Sequence, residues 1–477
     1  MATTYPPMNV RIRNVSTAAS LAAAVLLVAT GCTSVVREYQ EPVAQTPTQW
    51  REAGDGTFTS GDRSRLEPWW HDLNDPRLNQ LIERALTHGF DVREAFARLE
   101  EARARRGITA ADRWPTVSAG ASYWRSEDSE RTAYAGQTQA VDHHALSLDA
   151  TWEIDLWGRV RRAIEAADAD LAASEEDVRA VQLALAAETA ASYVDLRAFQ
   201  QRIALARLNI DLQQQTLELV QARFDAGLVG ERDVAQAAAN VAVTRSRLPV
   251  LETGERAAEN RLAVLVGATP AELAGEFGRE PVPVPPLQVA TGVPADVVRR
   301  RPDVGLAERR LAAEQARLGV ARADLLPRLS LSGVIGVAAQ DASDLFRQGS
   351  GEYGFGPSLA WTLFDRGRLR QRVAVQDARA EQALIQWERA VLLALEETEN
   401  AMTGFVRGQV RRQSLLGATE QARRAVELAR FEYTEGLSDF QAVLDSQRAL
   451  AQLEDEVAQT EAAITTQFIV LQKALGG

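Results

Sequence analysis

The stretch DVREAFARLEEARARRGITAADRWPTVS, residues 91–118, decides the fold, because the chain contains it a second time. Residues 303–330 read DVGLAERRLAAEQARLGVARADLLPRLS and align with it without a gap at an offset of 212. From Trp152 the two copies continue at an offset of 209, with the pairs Trp152/Trp361, Gly158/Gly367 and Gly227/Gly436. A period of this length far exceeds the roughly 20–50 residues of a solenoid unit. The sequence therefore predicts two similar half-molecules in one body.

Composition excludes several classes of function. The chain carries 53 lysine and arginine residues against 65 aspartate and glutamate residues, a net charge of −12. A nucleic-acid-binding surface needs a basic patch, so no nucleic-acid partner is expected. Lys473 is the only lysine and stands outside any glycine-rich phosphate loop, which excludes ATP hydrolysis by that motif. A single cysteine excludes internal disulfides and thiol-ligated zinc.

The first 31 residues have the three regions of a signal peptide. Arg11 and Arg13 precede the apolar stretch 21–29, and small residues follow it. The start codon is either Met1 or Met8, since the second gives a more compact leader. This pattern predicts export from the cytoplasm.

Cys32 follows Gly31 directly, as in the lipobox of bacterial lipoproteins. We expect cleavage before Cys32 and attachment of a diacylglycerol thioether and an N-acyl chain, which together anchor a protein stably. Ala29 departs from the leucine that is usual at its position, and an ordinary exported protein is the alternative. The lipid on Cys32 is the only prosthetic group expected, without a cofactor or metal. Residues 32–68 would form a polar, mostly irregular, lipid-anchored tail.

Four segments alternate apolar and polar residues with period two. In 145–156 every even position from Leu146 to Leu156 is apolar, and the odd positions from Ser147 to Asp155 are polar. Segments of about ten residues with this alternation are typical of transmembrane β-barrel strands. A soluble sheet with one buried face explains the pattern equally well. The expected strands are 115–125, 145–156, 328–338 and 353–364.

Four strands are too few to close a barrel. An open sheet edge in lipid leaves backbone groups unpaired, at several kcal/mol each. If the strands span a membrane, several chains must pool them. The membrane interpretation therefore requires an oligomer.

Two very long helices follow the strands. Residues 159–226 contain neither glycine nor proline, and at about 1.5 Å per residue a helix over 158–226 would reach roughly 100 Å. The second copy predicts an equal helix over 367–435. Each ends in a glycine turn and a returning helix, expected over 231–266 and 439–474. Pro249 and Gly254 predict a kink or break in the first returning helix.

The remaining segments complete the two repeats. Helices are expected at about 76–113 and 302–325. The proline-rich segment 280–294 reads as an extended linker. The first repeat then covers 69–279 and the second 295–477.

The chain resembles the TolC-type outer-membrane efflux channels, specifically their lipid-anchored OprM-like/NodT branch. The resemblance covers about 33–477. It rests on the following stretches: Glu38-Tyr39-Gln40-Glu41-Pro42, Trp69-Trp70, Asp75-Pro76-Arg77-Leu78, Trp152-Glu153-Ile154-Asp155-Leu156-Trp157-Gly158-Arg159, Glu259 to Gly267 and Arg300-Arg301-Pro302-Asp303.

The resemblance implies an α+β membrane protein with a TolC-like duplicated fold. Three chains would form one 12-stranded β-barrel in the outer membrane, continued by a 12-helix periplasmic α-barrel. The homotrimer would be the passive exit duct of a tripartite efflux system for drugs or other small molecules. Its expected partners are a periplasmic adaptor protein and an inner-membrane pump, commonly of the resistance–nodulation–division class.

The resemblance also implies a gate at the periplasmic tip. Asp445 matches the family's tip aspartate, and three copies would place three carboxylates close together, a ring that favours cations. Read alone, Asp445 is more simply a solvated aspartate near a helix start. Gln441 stands where the family often has an apolar constriction residue, and Glu432 stands where it often has a basic residue. The bonds between helices that hold the gate are therefore expected to differ from those usual in the family.

The adaptor-contact tips implied by the resemblance are the two glycine turns. They are Gly227 with Leu228 in the first repeat and Gly436 with Leu437 in the second. Plain turn chemistry also explains these residues, and both roles are compatible.

Two other classes of function are alternatives. An enzyme is not expected, since His143 and His144 are the only neighbouring histidines and no catalytic motif accompanies them. A lipid-anchored periplasmic coiled-coil adaptor or scaffold without a pore would explain the leader and the hairpins. It does not explain four alternating strands at duplicated positions.

Overall fold

The computed structural model describes residues 39–52, 57–59, 68–127, 129, 131 and 140–477. The signal peptide and Cys32 lie outside the described residues. The described chain divides into two compact units. The first unit includes 107–167 and 312–380, and the second consists of 41–106, 168–311 and 381–477.

The described elements follow one another in the order that the duplication predicts. In chain order they are β1 (Phe58–Thr59), α1 (Pro76–His88), α2 (Phe90–Ala111), β2 (Thr116–Ser126), β3 (Val141–Ile154), α3 (Arg159–Asp225), α4 (Glu231–Leu265), α5 (Pro270–Leu273), β4 (Val289–Ala290), α6 (Pro294–Arg300), α7 (Pro302–Ala323), β5 (Arg328–Ala339), β6 (Gly351–Ala360), α8 (Arg368–Thr434) and α9 (Phe440–Ala474). Short 3₁₀ turns at Trp69–Leu73 and Ala342–Asp344 complete them.

The first unit contains an antiparallel sheet in the order β2-β3-β5-β6. Leu148 of β3 pairs with Ala119 of β2 and with Ile335 of β5, which pairs in turn with Tyr353 of β6. The next row places Asp149 opposite Ser118 and Val334. Since neighbouring residues of a strand point to opposite faces, the alternation in the sequence becomes one apolar and one largely polar face. Leu148, Ile335 and Tyr353 are exposed on the apolar face of the single chain.

The two long helices begin with the same local structure. Gly158 and Gly367 precede them with φ of 82° and 84°, a left-handed conformation that favours glycine. The Asp155 carboxylate accepts hydrogen bonds from the backbone N–H groups of Val160 and Arg161 at the start of α3. Asp365 does the same for Leu369 in α8, at 2.8 Å. Both α3 and α8 then run for 67 residues. Among the described residues, no helix combines the length and the apolar character needed to cross a membrane.

One expected helix is two helices. The segment 76–113 divides into α1 and α2 at Gly89, whose extended backbone ends the first helix. A Cβ at Gly89 would lie 2.5 Å from the Ala85 carbonyl oxygen and 2.9 Å from a Leu185 methyl carbon. The prediction of a continuous helix is wrong because this close approach needs a bend at a residue without a side chain.

The expected break in α4 is absent, since one helix spans Glu231–Leu265 with Pro249 inside it. Gly254 is instead a packing position. A Cβ there would lie 2.4 Å from the ring of Phe199, so the aromatic ring occupies the space that a side chain would need.

The core of the second unit includes part of the N-terminal tail, which the sequence alone does not reveal. Phe58 is buried and lies 6.5 Å from Phe405, ring centroid to ring centroid. Its strand β1 pairs in parallel with β4 of the linker, and the Trp50 indole donates to the Gly292 carbonyl at 3.1 Å. The tail is therefore bound to the linker and to α8 by apolar and backbone contacts.

Arg197 and Arg301 are buried in the second unit, and the terminal nitrogens of both guanidinium groups donate to several acceptors. Arg301 donates to Asp303 and Glu397, both at 2.7 Å, and to the carbonyl of Ala474 near the end of α9. Arg197 donates to the Tyr193 hydroxyl, the Gly278 carbonyl and Glu280. Buried charges require such partners, because an unpaired charge would forfeit its hydration. These contacts tie the two linker ends to the helices.

The docked tail gives a test of the fold. We expect Phe58→Ala to destabilise the second unit by about 3–5 kcal/mol, the usual cost of removing a buried phenyl ring. Thermal unfolding of the detergent-solubilised protein, followed by tryptophan fluorescence, would measure a lower midpoint. Val43→Ala is the matched control, since Val43 lies in the same tail and is 90% exposed. Equal midpoints for the two variants would contradict the docking of Phe58.

Candidate functional site

The two glycine turns have the same structure. Gly227 and Gly436 have φ of 70° and 76°. The following N–H groups, of Leu228 and Leu437, donate to carbonyls five residues earlier at 2.9 and 2.8 Å. This satisfies carbonyls at the end of each long helix. Leu228 and Leu437 are nevertheless 67% and 74% exposed, so both turns present an apolar side chain to the surroundings.

A small apolar cluster, here called the tip cluster, lies behind the turns. Its members come from the ends of all four hairpin helices: Val220 of α3, Ala237 of α4, Ala429 and Tyr433 of α8, and Phe440, Val443 and Leu444 of α9. The rings of Tyr433 and Phe440 lie 5.4 Å apart, centroid to centroid. The two hairpins of one chain therefore share a core at their tips.

Arg223 joins the two hairpins and was not singled out in the sequence. Its Nη1 donates to the carbonyls of Tyr433 and Thr434 at 3.0 and 2.9 Å, and its Cζ lies 4.8 Å from the centre of the Tyr433 ring. The last carbonyls of a helix lack intrahelical donors and carry partial negative charge, so a guanidinium stabilises them. The position equivalent to Arg223 in the second repeat holds Glu432. A carboxylate cannot donate to helix carbonyls, so Arg223 caps the second repeat and Glu432 makes no reciprocal cap on the first.

Asp445 lies on an exposed face of α9, one turn after the helix begins. Its carboxylate accepts a hydrogen bond from the Gln441 amide at 2.9 Å. Asp439 has a different role, because its side chain caps α9 through the N–H of Ala442 at 3.2 Å. Asp445 is therefore free of the capping role and available as an exposed charge. Gln441 orients that charge from the position where an apolar residue was expected.

A polar layer joins the helices about two turns from the tip. The Gln447 amide donates to the Thr216 hydroxyl at 2.9 Å, which links α9 to α3. The Arg448 Nε–H donates to the side-chain amide oxygen of Asn240 at 3.1 Å, which links α9 to α4. The side chains of Gln447, Asn240 and Thr216 are buried. Side-chain bonds of this kind fix helix register, because sliding would leave buried polar groups unpaired.

Tyr433 is one of two buried aromatic residues described in the tip cluster, and its hydroxyl has no hydrogen-bond partner among the described residues. Burial raises the pKa of this phenol. Arg223 acts in the opposite direction and Asp233 in the same direction. The ring contributes packing and supports Arg223, whereas the hydroxyl contributes no bond.

The histidine pair lies elsewhere, on β3 of the sheet. His143 stacks on Trp124 with ring centroids 4.0 Å apart, and His144 lies 4.8 Å from Tyr123. Neighbouring residues of a strand face opposite sides, so the two imidazoles do not converge. Among the residues that the structure describes, no group of three or more histidine, cysteine, aspartate or glutamate side chains could hold a metal ion.

The family model described as "Outer membrane efflux protein" matches residues 81–268 and 293–477. The chain belongs to this family. The two matched segments correspond to the two repeats, and the family consists of outer-membrane channels. The protein is accordingly an efflux protein of the outer membrane, with a TolC-like fold.

Relatives and solved structures agree with this assignment. The pyoverdine export outer membrane protein OpmQ of Pseudomonas aeruginosa is 34% identical over 452 residues, which cover 90% of this chain and 91% of OpmQ. Nodulation protein T of Rhizobium leguminosarum bv. trifolii is 30% identical, covering 94% of this chain and 95% of the relative. The structure of the outer-membrane channel OprN matches with a TM-score of 0.88 at 37% identity, covering 93% of this chain and 99% of OprN.

The unpartnered hydroxyl predicts how substitutions at Tyr433 behave. We expect Tyr433→Phe to leave the free energy of unfolding at neutral pH unchanged within about 1 kcal/mol, because no hydrogen bond is lost. Thermal unfolding measures this free energy. Tyr433→Ala removes the ring from the tip cluster and should cost about 3–5 kcal/mol. A large loss in the phenylalanine variant would show that the hydroxyl has a partner.

The pH dependence has a defined sign. A phenol whose pKa is raised on folding contributes stability below its unfolded pKa of about 10, and this contribution is lost as the pH rises through the folded pKa. The wild-type protein should therefore lose more stability than Tyr433→Phe above pH 10, measured by thermal unfolding. Identical pH profiles would contradict burial of this phenol.

Arg223→Gln tests the bond between the hairpins. We expect the end of α8 to fray, because two carbonyls lose a charged donor worth about 2 kcal/mol. Hydrogen exchange followed by mass spectrometry should show faster exchange over 430–437. Arg232→Gln is the control, since Arg232 is exposed in the neighbouring turn of α4. Equal exchange in the two variants would exclude Arg223 as a cap.

Proposed function

We propose that this protein is the passive exit duct of a tripartite efflux system and that three copies form the duct. The observation that carries the proposal is the four-stranded sheet with one apolar face and two open edges. Within the described residues, β2 and β6 each have a neighbour on one side only. In a bilayer such edges must be paired, since unpaired backbone groups find no water there.

Three chains would give a barrel of twelve strands. Each β6 would pair with the β2 of the next copy, which removes all edges. The apolar faces, with Leu148, Ile335 and Tyr353, would face lipid, and the rows with Ser118 and Asp149 would face a water-filled lumen. The four hairpin helices of each copy would give twelve helices in the periplasm. Cys32 would carry the lipid anchor.

The tip supports a gated opening. Three exposed Asp445 carboxylates around one axis would repel each other and attract cations, so the narrowest part of the lumen would prefer cations. Arg223 and the tip cluster hold the two hairpins of one copy together, so the movable contacts would lie between copies. Opening would separate the carboxylates and relieve their repulsion.

The partners follow from the exposed surface of the tips. Leu228 and Leu437 would contact the periplasmic adaptor, since exposed leucines at two equivalent turns form a repeated apolar surface. An inner-membrane pump of the resistance–nodulation–division class would supply the energy. The cargo would be small molecules, since relatives such as OpmQ are named for the export of such compounds.

The first experiment is the particle mass of the mature protein extracted from outer membranes in detergent. A mass of three chains supports the shared barrel. A single chain, or protein released from membranes without detergent, would favour the lipid-anchored scaffold.

Leu148→Arg tests the membrane face. A charge on the lipid side of a strand at mid-depth costs about 2–4 kcal/mol, so this variant should insert poorly into the outer membrane. Ser332→Arg is the control, because Ser332 lies on the opposite face of the same sheet and is exposed. Membrane fractionation should recover the control with wild-type yield. Equal yields for both variants would argue against lipid contact at Leu148.

Asp445→Asn tests the gate. In planar bilayers we expect the variant to lose cation preference, measured as a shift of the reversal potential toward zero in a salt gradient, because three charges leave the constriction. Glu435→Gln removes a carboxylate near the same turn and should have a smaller effect. A larger shift for Glu435→Gln would place the constriction elsewhere.

A further inference from the structure

A run of exposed aromatic, aliphatic and basic side chains follows the last strand of the sheet. It is called here the basic–aromatic band and consists of Trp361, Leu363, Phe364, Arg366, Arg368, Arg370 and Arg372. Leu363 and Phe364 are 78% and 85% exposed, and all four arginines are exposed. All seven residues belong to the first unit.

The equivalent segment of the first repeat has a balanced charge. There, residues 153–165 contain three acidic and three basic side chains, and their net charge is zero. Each arginine has a carboxylate partner: Arg159 with Glu153 at 2.6 Å, Arg161 with Asp155 at 3.3 Å and Arg162 with Glu165 at 2.5 Å. The basic residues of the first copy are neutralised within the chain.

The second copy has the same backbone and a different charge. Thr362 and Ala374 stand where the first copy has Glu153 and Glu165, and Arg366 and Arg372 stand where it has Trp157 and Ala163. Residues 362–374 therefore carry four arginines and one aspartate, a net charge of +3 in a chain whose total is −12. Asp365 is occupied in capping α8.

Three arginines of the band lack a partner. The side chains of Arg366, Arg370 and Arg372 make no ion pair or hydrogen bond with any residue that the structure describes. Arg366 also has φ of 54°, a conformation unfavourable for a residue with a side chain. The first turn of α8 contains no acidic residue, although a helix N-terminus disfavours cations. Contacts within the described chain do not account for these arginines, and their charge fits an anionic partner.

The position of the apolar residues in the basic–aromatic band indicates the chemical class of the anion that the arginines bind. Trp361 and Leu363 continue the odd-numbered positions of β6, whose Tyr353, Phe355 and Leu359 lie on the apolar face. The indole of Trp361 donates to the Leu325 carbonyl at 3.1 Å. Its repeat equivalent Trp152 donates to the Arg113 carbonyl at 2.9 Å. Tryptophans at the ends of membrane strands lie at the level of the lipid headgroups.

We propose that the basic–aromatic band binds the phosphate groups of anionic phospholipids in the periplasmic leaflet of the outer membrane. The proposal rests on the proposed function, in which the sheet spans that membrane and the helices extend into the periplasm. Trp361 and Leu363 lie at the boundary between the headgroups and the acyl chains, and Arg366, Arg370 and Arg372 bind phosphate oxygens. A guanidinium suits this role because its planar set of donors can bind a phosphate through two hydrogen bonds.

The test compares the full-length lipidated protein with the triple variant Arg366→Gln, Arg370→Gln, Arg372→Gln. Binding of phosphatidylglycerol and phosphatidylcholine is measured by native mass spectrometry and by the shift of the thermal midpoint in detergent. The wild type should prefer phosphatidylglycerol. The triple variant should lose affinity for it by roughly a hundredfold, since each interfacial arginine contributes about a fivefold factor.

Two controls separate this role from a structural one. Arg379→Gln removes an exposed arginine that has no partner among the described residues. It lies in the same helix, about 13 Å further along α8 from Arg370, and the variant should bind lipid as the wild type does. The triple lysine variant keeps the charge and should recover part of the affinity, because an ammonium group also binds phosphate.

Several outcomes would overturn the proposal. Equal binding of the two lipids by the wild type would do so, as would unchanged preference in the triple variant. Protection by inorganic phosphate alone at the same concentration would replace the lipid with a free anion. Dissociation of the triple variant into single chains, with lipid retained, would assign the arginines to a contact between copies. A wild type that is not a three-chain channel but still prefers phosphatidylglycerol would contradict the proposed function alone.

Discussion

The pairing of backbone groups at the edges of the sheet is the constraint on which the rest of this molecule depends. Each chain supplies β2, β3, β5 and β6 and leaves two edges open among its described residues. The face with Leu148, Ile335 and Tyr353 is apolar, so the sheet cannot remain solvated on that side without cost. Under the proposed function both problems have one solution, because joining three copies closes the edges and lipid covers the face.

Duplication provides the backbone twice, and single substitutions give the copies different tasks. The long helices α3 and α8 begin after equivalent glycines and end at equivalent turns. At the tip, Arg223 in one copy and Glu432 in the other create a one-way cap across the hairpins. At the strand ends, Thr362 and Ala374 stand in place of two glutamates, and Arg366 and Arg372 stand in place of two uncharged residues, which leaves the second copy basic. Local charge changed while the helical hairpins kept their length.

The tail and the linker have a structural role beyond connection. Trp50 and Phe58 bind to the linker and α8, and the start of the linker contacts the buried Arg197. These contacts place Trp50 and Phe58 within the core of the second unit. A chain anchored at its N-terminus would thereby be held at a second point, by packing rather than by lipid.

The sequence by itself determined the duplication, the four strands, the two long helices and the glycine turns, because period-two alternation, absence of helix breakers and left-handed glycines are local properties. It also led to the family through motifs such as Trp152 to Arg159. Only the tertiary structure decided that the helix ends at Gly89, that a helix continues through Pro249, and that Phe58 is buried. It alone brought Arg223 to the end of α8, 210 residues away. Such contacts depend on which side chains meet in space, and no local pattern records that.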